Sequence, residues 1–286
     1  MSPSPQRILS DFAPGDRKST SFATEKITLH SVESIQDPLF ETAFNTLTEF
    51  FGARRELETR SVLEQRFAWN AAPLLTSQPV LHYSMILALD SQKNVAAVRD
   101  YSVILPPAPE PPRATLHLSH LWIHPTHRRT GLAGWMRALP LETGRTLLAQ
   151  AHHSPDAPVT LIAEMELPDG KDEDRNIRLL AYEKAGFLKV DPRVAPYLQP
   201  DFRAPSQIDA SGAPQPIPMA LILRRVGHEN ETSAPASFIR SIIHDLYTLY
   251  SETFRSCDMA PLWDRWRTLP NGPTPISLLP PTQPES

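Results

Sequence analysis

The stretch Leu121-Trp122-Ile123-His124-Pro125-Thr126-His127-Arg128-Arg129-Thr130-Gly131-Leu132-Ala133-Gly134 runs from apolar residues through a basic turn into a helical pattern. Gly131 permits backbone angles and close approaches that a side chain would block. Unpaired N–H groups at a helix start, in line with the helix dipole, can cradle a phosphate or pyrophosphate. Arg128 and Arg129 add charge beside them. By itself the stretch fits an ordinary strand-to-helix turn better. It has neither the GxxxxGK[ST] spacing nor G-x-G-x-x-G. Other groups able to move protons are His117, His120, Glu164, Glu166 and Tyr182. Strand alternation puts His117, Ser119 and Ile123 on one face and His120 on the other, unless a bulge intervenes. An imidazole with an ordinary pKa near 6.5 suits base work at neutral pH, and a partly buried, hydrogen-bonded histidine fits His117 equally. Arg99-Asp100-Tyr101 reads as a surface ion pair in preference to a pocket wall.

The elements that must position these groups follow from periodicity. Lys26 to Val32 alternates like a strand. Asp37-Pro38 opens a helix carrying Leu39, Phe40, Ala43, Phe44, Leu47 and Phe51 at helical spacing. A second helix spans about Glu56 to Trp69. Val80 to Asp90 and Asn94 to Leu105 flank Ser91-Gln92-Lys93 as a hairpin. Leu116 to His124 is the next strand and enters the basic turn and a helix, which Pro140 should kink or shorten. Val159 to Glu166 is a strand, Asp174 to Ala185 a helix, and Phe187 to Val190 and Met219 to Val226 strands. Ala236 to Trp266 is mostly helical, and its stripe of Phe238, Ile242, Leu246, Leu249 and Phe254 would dock onto the domain or onto a second copy. The order predicts an α/β fold, a mixed sheet with helices on both faces. Proline, 31 of 286 residues, punctuates it. The expected limits are a flexible tail over 1–24, the domain over 25–227, a helical extension over 228–268 and a Pro-rich tail over 269–286. Pro106 to Pro112 is a stiff connector, and Pro192 to Pro218 a long loop.

Composition narrows the partners. Hydrophobic residues make up 41% and charged residues 21%, with a net charge of −4, so a nucleic-acid backbone is disfavoured as partner. No apolar run approaches the roughly 20 residues that span a bilayer, and the first residues lack a signal-peptide core. The single cysteine, Cys257, fits a reducing, cytoplasmic setting. His117, His120, His124, His127, His152 and His153 lack a Cys or carboxylate at metal spacing, so no metal is expected. Asp169 to Asp174 does not have the spacing of a calcium loop.

The stretch Leu121 to Ala133 resembles the acyl-CoA-binding motif of the GNAT N-acetyltransferase superfamily: an apolar strand, Pro, a basic residue and Arg/Gln-x-x-Gly-x-Gly/Ala. Tyr182-Glu183-Lys184-Ala185-Gly186-Phe187 is similar to that family's second hallmark, a helix ending in Tyr-Glu-Lys-x-Gly-Phe before a strand. The resemblance covers Lys26 to about Val226. It implies a GNAT-type, mostly antiparallel twisted sheet, with the helical addition outside it. It implies that Leu121, Trp122, Ile123, Arg128, Arg129, Thr130, Gly131, Leu132, Ala133, Gly134 and Asn176 contact acyl-CoA, with the pyrophosphate on the N–H groups of Arg129 to Gly134. The backbone N–H of Ile123 would stabilise the thioester oxyanion. His117 would be the general base, since some members carry Glu or His there, and Tyr182 the acid that protonates the CoA thiolate, or a residue packed on CoA. Asn176 precedes Tyr182 by six residues where many members have seven. The implied function is transfer of acetyl from acetyl-CoA to the amine of a small molecule or protein by direct attack. The alternatives are a silent acyl-CoA-binding or scaffold protein and, third, an O-acyltransferase. No membrane partner is implied.

Overall fold

The computed structural model describes residues 12–17, 26–52, 57–75, 77–154, 156–168 and 171–284. They belong to two compact units, Met1–Val159 and Thr160–Ser286. The fold is mixed α/β, built on antiparallel strand pairs and helices.

In the first unit, β1 (Thr28–Val32), β2 (Val80–Leu89), β3 (Val95–Leu105) and β4 (Ala114–Ile123) pair in that order, each antiparallel to the next. The β2–β3 turn forms at the expected place. There Asp90 Oδ1 accepts the N–H groups of Gln92 and Asn94 at 2.8 and 2.9 Å. One face, with Tyr83, Met85, Leu87 and Val98, packs on α2 (Phe40–Phe51) and α3 (Arg60–Ala68) through Phe40, Ala43, Leu47, Leu63 and Phe67. The helix expected at Asp37-Pro38 starts at Phe40 because the Asp37 carboxylate serves the turn before it. That carboxylate meets His30 Nε2 at 2.9 Å and accepts the Leu39 N–H at 2.8 Å. Glu56, the expected start of the second helix, lies outside the described residues.

The opposite face carries α4 (Leu132–Gln150), where Tyr101 Oη meets Thr143 Oγ1 at 2.8 Å. Pro140 sits inside this helix and does not shorten it. Losing one hydrogen bond there costs about 3 kcal/mol, while each fully buried Leu or Met side chain returns about 1.5–3 kcal/mol. Leu132, Trp135, Met136, Leu139, Leu147 and Leu148 are all buried on α4. A second departure is at the N-terminus. Phe12 and Ala13 are buried and α1 (Pro14–Arg17) docks on α4. The Phe12 ring meets Trp135 edge-on at 5.3 Å, and Arg137 Nε and Nη2 donate to the Asp16 carboxylate at 3.1 and 2.6 Å. The flexible tail expected over 1–24 therefore does not include Phe12–Arg17, because an aromatic ring and an ion pair anchor them. Residues 1–11 and 18–25 lie outside the described residues.

In the second unit, β5 (Val159–Met165) pairs with β8 (Ile217–Arg225), which also pairs with β6 (Leu188–Val190) and β7 (Tyr197–Gln199). β10 (Pro275–Leu279) lies between β6 and β9 (Ser233–Pro235). These residues were expected in a Pro-rich tail. Alternation buries Ile276 and Leu278, and that outweighs the flanking prolines. The helices are α5 (Glu173–Lys184), α6 (Pro205–Ser211), α7 (Ala236–Ser251) and α8 (Ser256–Thr268). β7 and α6 interrupt the expected long loop over 192–218. Ile242, Leu246 and Leu249 of the predicted stripe are fully buried inside the chain itself.

Candidate active site

β4 delivers the candidate residues, and its register decides which face they take. Tyr101 stands opposite Leu118 and Arg99 opposite Leu121, so Ser119 and His120 together face Asp100. That is a one-residue bulge, and it reverses the alternation beyond it. His117, opposite Ser102, and Trp122, opposite Val98, share the face of Asp100, whereas Ile123, opposite Ala97, lies on the other. The simple alternation that grouped His117 with Ile123 and set His120 apart is thereby corrected. His120 turns to the His117 face, where its ring packs on Phe51 at 4.9 Å. Trp122 stacks on Phe50 at 4.6 Å.

Asp100 is the residue that sequence reasoning misjudged. Arg99, Asp100 and Tyr101 are buried at 0%, 0% and 2% exposure, so the expected surface ion pair does not exist. The Asp100 Oδ1 accepts the backbone N–H of His120 at 2.8 Å and lies 2.9 Å from its Nδ1, while Tyr83 Oη donates to Oδ2 at 3.0 Å. Burial alone would raise the Asp100 pKa. The charge and ring of His120, its backbone N–H and the Tyr83 hydroxyl together overcome that and hold it at about 2. A charged pair in the middle of an eleven-residue β-run was the available signal. His117, 2% exposed, has Nδ1 3.4 Å from Ser119 Oγ.

The backbone after the bulge is set by the ladder. His124 donates its N–H to Ala96 O at 2.9 Å. Hydrogen-bonded pairs alternate with unbonded ones, so Leu121 and Ile123 turn their N–H and C=O groups away from β3. On that side Arg128 Nε donates to Ile123 O at 3.3 Å. The turn then tightens: Thr130 Oγ1 donates to His127 O at 2.7 Å, and Arg129 and Gly131 adopt φ of 64° and 92°. Gly131 is the cap of α4 and needs the freedom of glycine to reach that angle. Gly131 O accepts the N–H groups of Gly134 and Trp135 at 3.0 and 3.4 Å. The Gly134 amide, expected among the anion donors, is thus already committed. Among the described residues no carbonyl outside the helix and strand ladders accepts from the amides of Arg129 to Ala133, and for Gly131 to Ala133 the start of a helix dictates this. Leu132 anchors the turn in the core, and Arg128 and Arg129 are exposed.

Tyr182 and Asn176 lie on α5. The residues Tyr182 to Phe187 form a helix C-cap: Gly186 has φ 78°, its N–H donates to Glu183 O, and Phe187 N–H donates to Tyr182 O. The Tyr182 ring packs edge-on against Phe187 at 4.9 Å, the apolar contact such caps carry. A six-residue step rotates Asn176 roughly 120° from Tyr182 about the helix axis, where seven would stack them, at 3.6 residues per turn. The other two carboxylates weighed as bases are tied up. Tyr197 and Tyr250 donate their hydroxyls to Glu164, and Arg175 and Arg178 donate to Glu166. Among the described residues no three His, Cys, Asp or Glu side chains gather as a metal site, and no helix is long and apolar enough to cross a membrane. Asp169 and Gly170 lie outside the described residues.

No family model matches the chain, and no curated protein matches it. Solved structures it resembles include acetyltransferases of the GNAT family. One from Staphylococcus aureus Mu50 is 9% identical over 70% of this chain and 99% of that one, with a TM-score of 0.35. A Vibrio cholerae spermidine N-acetyltransferase in complex with CoA and spermine is 13% identical over 72% and 99%, with a TM-score of 0.38. A glucosamine N-acetyltransferase region of a fungal multi-domain β-N-acetylglucosaminidase is 14% identical over 78% of this chain and 22% of that one, with a TM-score of 0.39. Likeness at this level does not assign a chemistry, which rests on this chain's own residues.

Proposed function

We propose that this chain is an acyl-CoA-dependent N-acyltransferase of the GNAT type, moving acetyl from acetyl-CoA to a primary amine by direct attack. The observation that carries the reading is the run of amides from Arg129 to Ala133. They lead through the cap Gly131 into the first turn of the 19-residue helix α4, beside the Arg128 and Arg129 side chains, and follow a strand whose Leu121 and Ile123 peptide edges face away from β3. Such donors, aligned with a helix dipole, suit a pyrophosphate. The extended edge suits an arm that hydrogen-bonds like a strand, and a backbone N–H such as that of Ile123 suits a developing oxyanion. An alkylamine with a pKa near roughly 10.4 must lose a proton. His117 and His120, on one face of β4, are the candidate acceptors. Tyr182 is the candidate donor to the thiolate, and Asn176 a candidate contact of the CoA arm. The amine nitrogen bonds to the thioester carbon, the C–S electron pair leaves with sulfur, and the proton passes to imidazole. A single exposed cysteine, Cys257, distant in sequence from these motifs, favours direct attack over an acyl-cysteine intermediate.

A second reading, a silent acyl-CoA-binding protein, is favoured by the C-cap role of Tyr182 and the rotation of Asn176. Calorimetric titration with acetyl-CoA and CoA, followed by thiol release over a panel of primary amines, decides between them. Binding with turnover supports the transferase, and binding without turnover supports the silent protein. Absence of binding overturns both.

A further inference from the structure

Gly134 has a residue type that anion binding does not account for. It lies within α4 and is not among the glycines with positive φ, and at such a position glycine is less stable than alanine. Its N–H closes the first turn on Gly131 O at 3.0 Å, so that amide is not offered to a ligand. What a side chain would meet there is α1. A Cβ at residue 134 would stand 2.8 Å from Phe12 Cε1, 3.1 Å from Phe12 Cδ1 and 3.2 Å from Asp16 Cβ, inside the separation at which carbon atoms attract. The Phe12 ring, 1% exposed, also meets Trp135 at 5.3 Å, and Asp16 accepts from Arg137 at 3.1 and 2.6 Å.

The segment therefore grips Gly134, Trp135 and Arg137. The first two are the residues whose N–H groups close the helix on Gly131 O, at 3.0 and 3.4 Å. The amides of Gly131 to Ala133 come just before that closure, so the way the turn is held sets their direction. The buried side chains of Leu132 and Met136 hold it in the core, and Phe12 and Asp16 hold it at Gly134. The Asp16 charge is matched by Arg137, so the docked segment does not oppose an anion on the turn.

Resting on the acyl-CoA-binding part of the reading above, we infer that Phe12 to Asp16 are a positioning element of the acyl-CoA site. Seated in the notch that Gly134 leaves, they hold the first turn of α4 so that the amides of Gly131 to Ala133 receive the pyrophosphate. Gly134 serves that docking and does not contact the co-substrate.

The test is a double-variant cycle in the 286-residue chain. It is read as the acetyl-CoA Kd by calorimetry, at a temperature where circular dichroism shows each variant folded. Gly134→Ala and Phe12→Ala should each weaken binding by about 2- to 100-fold, the range that coupling between touching residues covers. On the Phe12→Ala background, Gly134→Ala should have no further effect, because the ring that the added methyl would strike is gone. Asp16→Asn, which keeps the shape of the side chain and removes its charge, should weaken binding in the same direction. The ratio of the Kd values for acetyl-CoA and CoA should stay constant throughout, since both carry the pyrophosphate. Equal weakening by Gly134→Ala on both backgrounds would mean that residue 134 meets the co-substrate directly, and overturns the inference. So does a Kd unchanged by Gly134→Ala or by Phe12→Ala; should Phe12→Ala not fold, Asp16→Asn takes its place. An unsubstituted protein that binds neither acetyl-CoA nor CoA withdraws the acyl-CoA reading itself, and the inference with it, even where unfolding midpoints show Phe12 and Gly134 to be coupled.

Discussion

Asp100 in the first unit and Glu164 in the second are both carboxylates on interior strands, and both accept a tyrosyl hydroxyl. They differ in their remaining donor. Glu164 is held by Tyr197 and Tyr250. Burial, then the charge of Glu164, pushes the Tyr197 hydroxyl well above its ordinary value. Tyr197 therefore keeps its proton, and the two hydroxyls make Glu164 a joint between β5, β7 and α7. Asp100 instead holds an imidazole, a ring that can accept as well as donate a proton. The same pattern separates the rest of the two units. Glu166 lies between Arg175 and Arg178, and Lys189 Nζ donates to Gln283 O at 2.7 Å, whereas the first unit places histidines and open amides on one strand–turn–helix. What a buried carboxylate can take part in depends on whether its donor can also take up a proton.

That contrast can be broken or sharpened by substitution. The largest effect expected is from Asp100→Ala. Removing one partner of a buried pair costs about 3–5 kcal/mol, read as a lower midpoint in urea unfolding; a shift within error would show that Asp100 does not bear the pair. Next is pH. His82 Nε2 is buried with no partner among the described residues, and burial depresses its pKa to about 4. Its neutral form is favoured by folding, so this contribution is complete above the unfolded value near 6.5 and is lost as pH falls from 6.5 to 4. It amounts to about 3 kcal/mol at most. Asp100, also depressed, loses its contribution lower, as pH falls below the unfolded carboxylate value near 3.9 towards about 2. His82→Gln should flatten the upper window alone in a stability-versus-pH series. Smaller is Glu164→Gln, which leaves two tyrosyl donors without a charged acceptor. It should cost about 1–3 kcal/mol while kcat stays unchanged. Lost turnover with intact acetyl-CoA binding would erase the distinction between the two carboxylates. The smallest is Gly131→Ala: an L-residue at that φ costs about 1–2 kcal/mol, seen as a lower Tm together with weaker acetyl-CoA binding.

How far the chain could be read depended on the range of the interactions. The β2–β3 hairpin, the helix at Phe40 to Phe51, the turn at Gly131 and the cap at Gly186 rest on neighbours a few residues apart. Side-chain period, asparagine and aspartate turn chemistry and the left-handed preference of glycine announce them. The bulge at Ser119-His120 has no such mark, because it exists only relative to β3. A one-residue slip there changed which histidine meets Asp100. Asp100 looked like a surface charge because its partners, Tyr83 and His120, are 17 and 20 residues away in sequence. The docking of Phe12 and Asp16 on α4, and of Pro275–Leu279 between β6 and β9, was hidden by polar or proline-rich flanks. Local composition predicts what a segment does in isolation, whereas burial against a distant strand can override it. The chain by itself therefore determined the amide turn and the mixed sheet that presents it. Only tertiary pairing decided which carboxylate meets a histidine, since a buried charge is stable solely where the fold brings its partner.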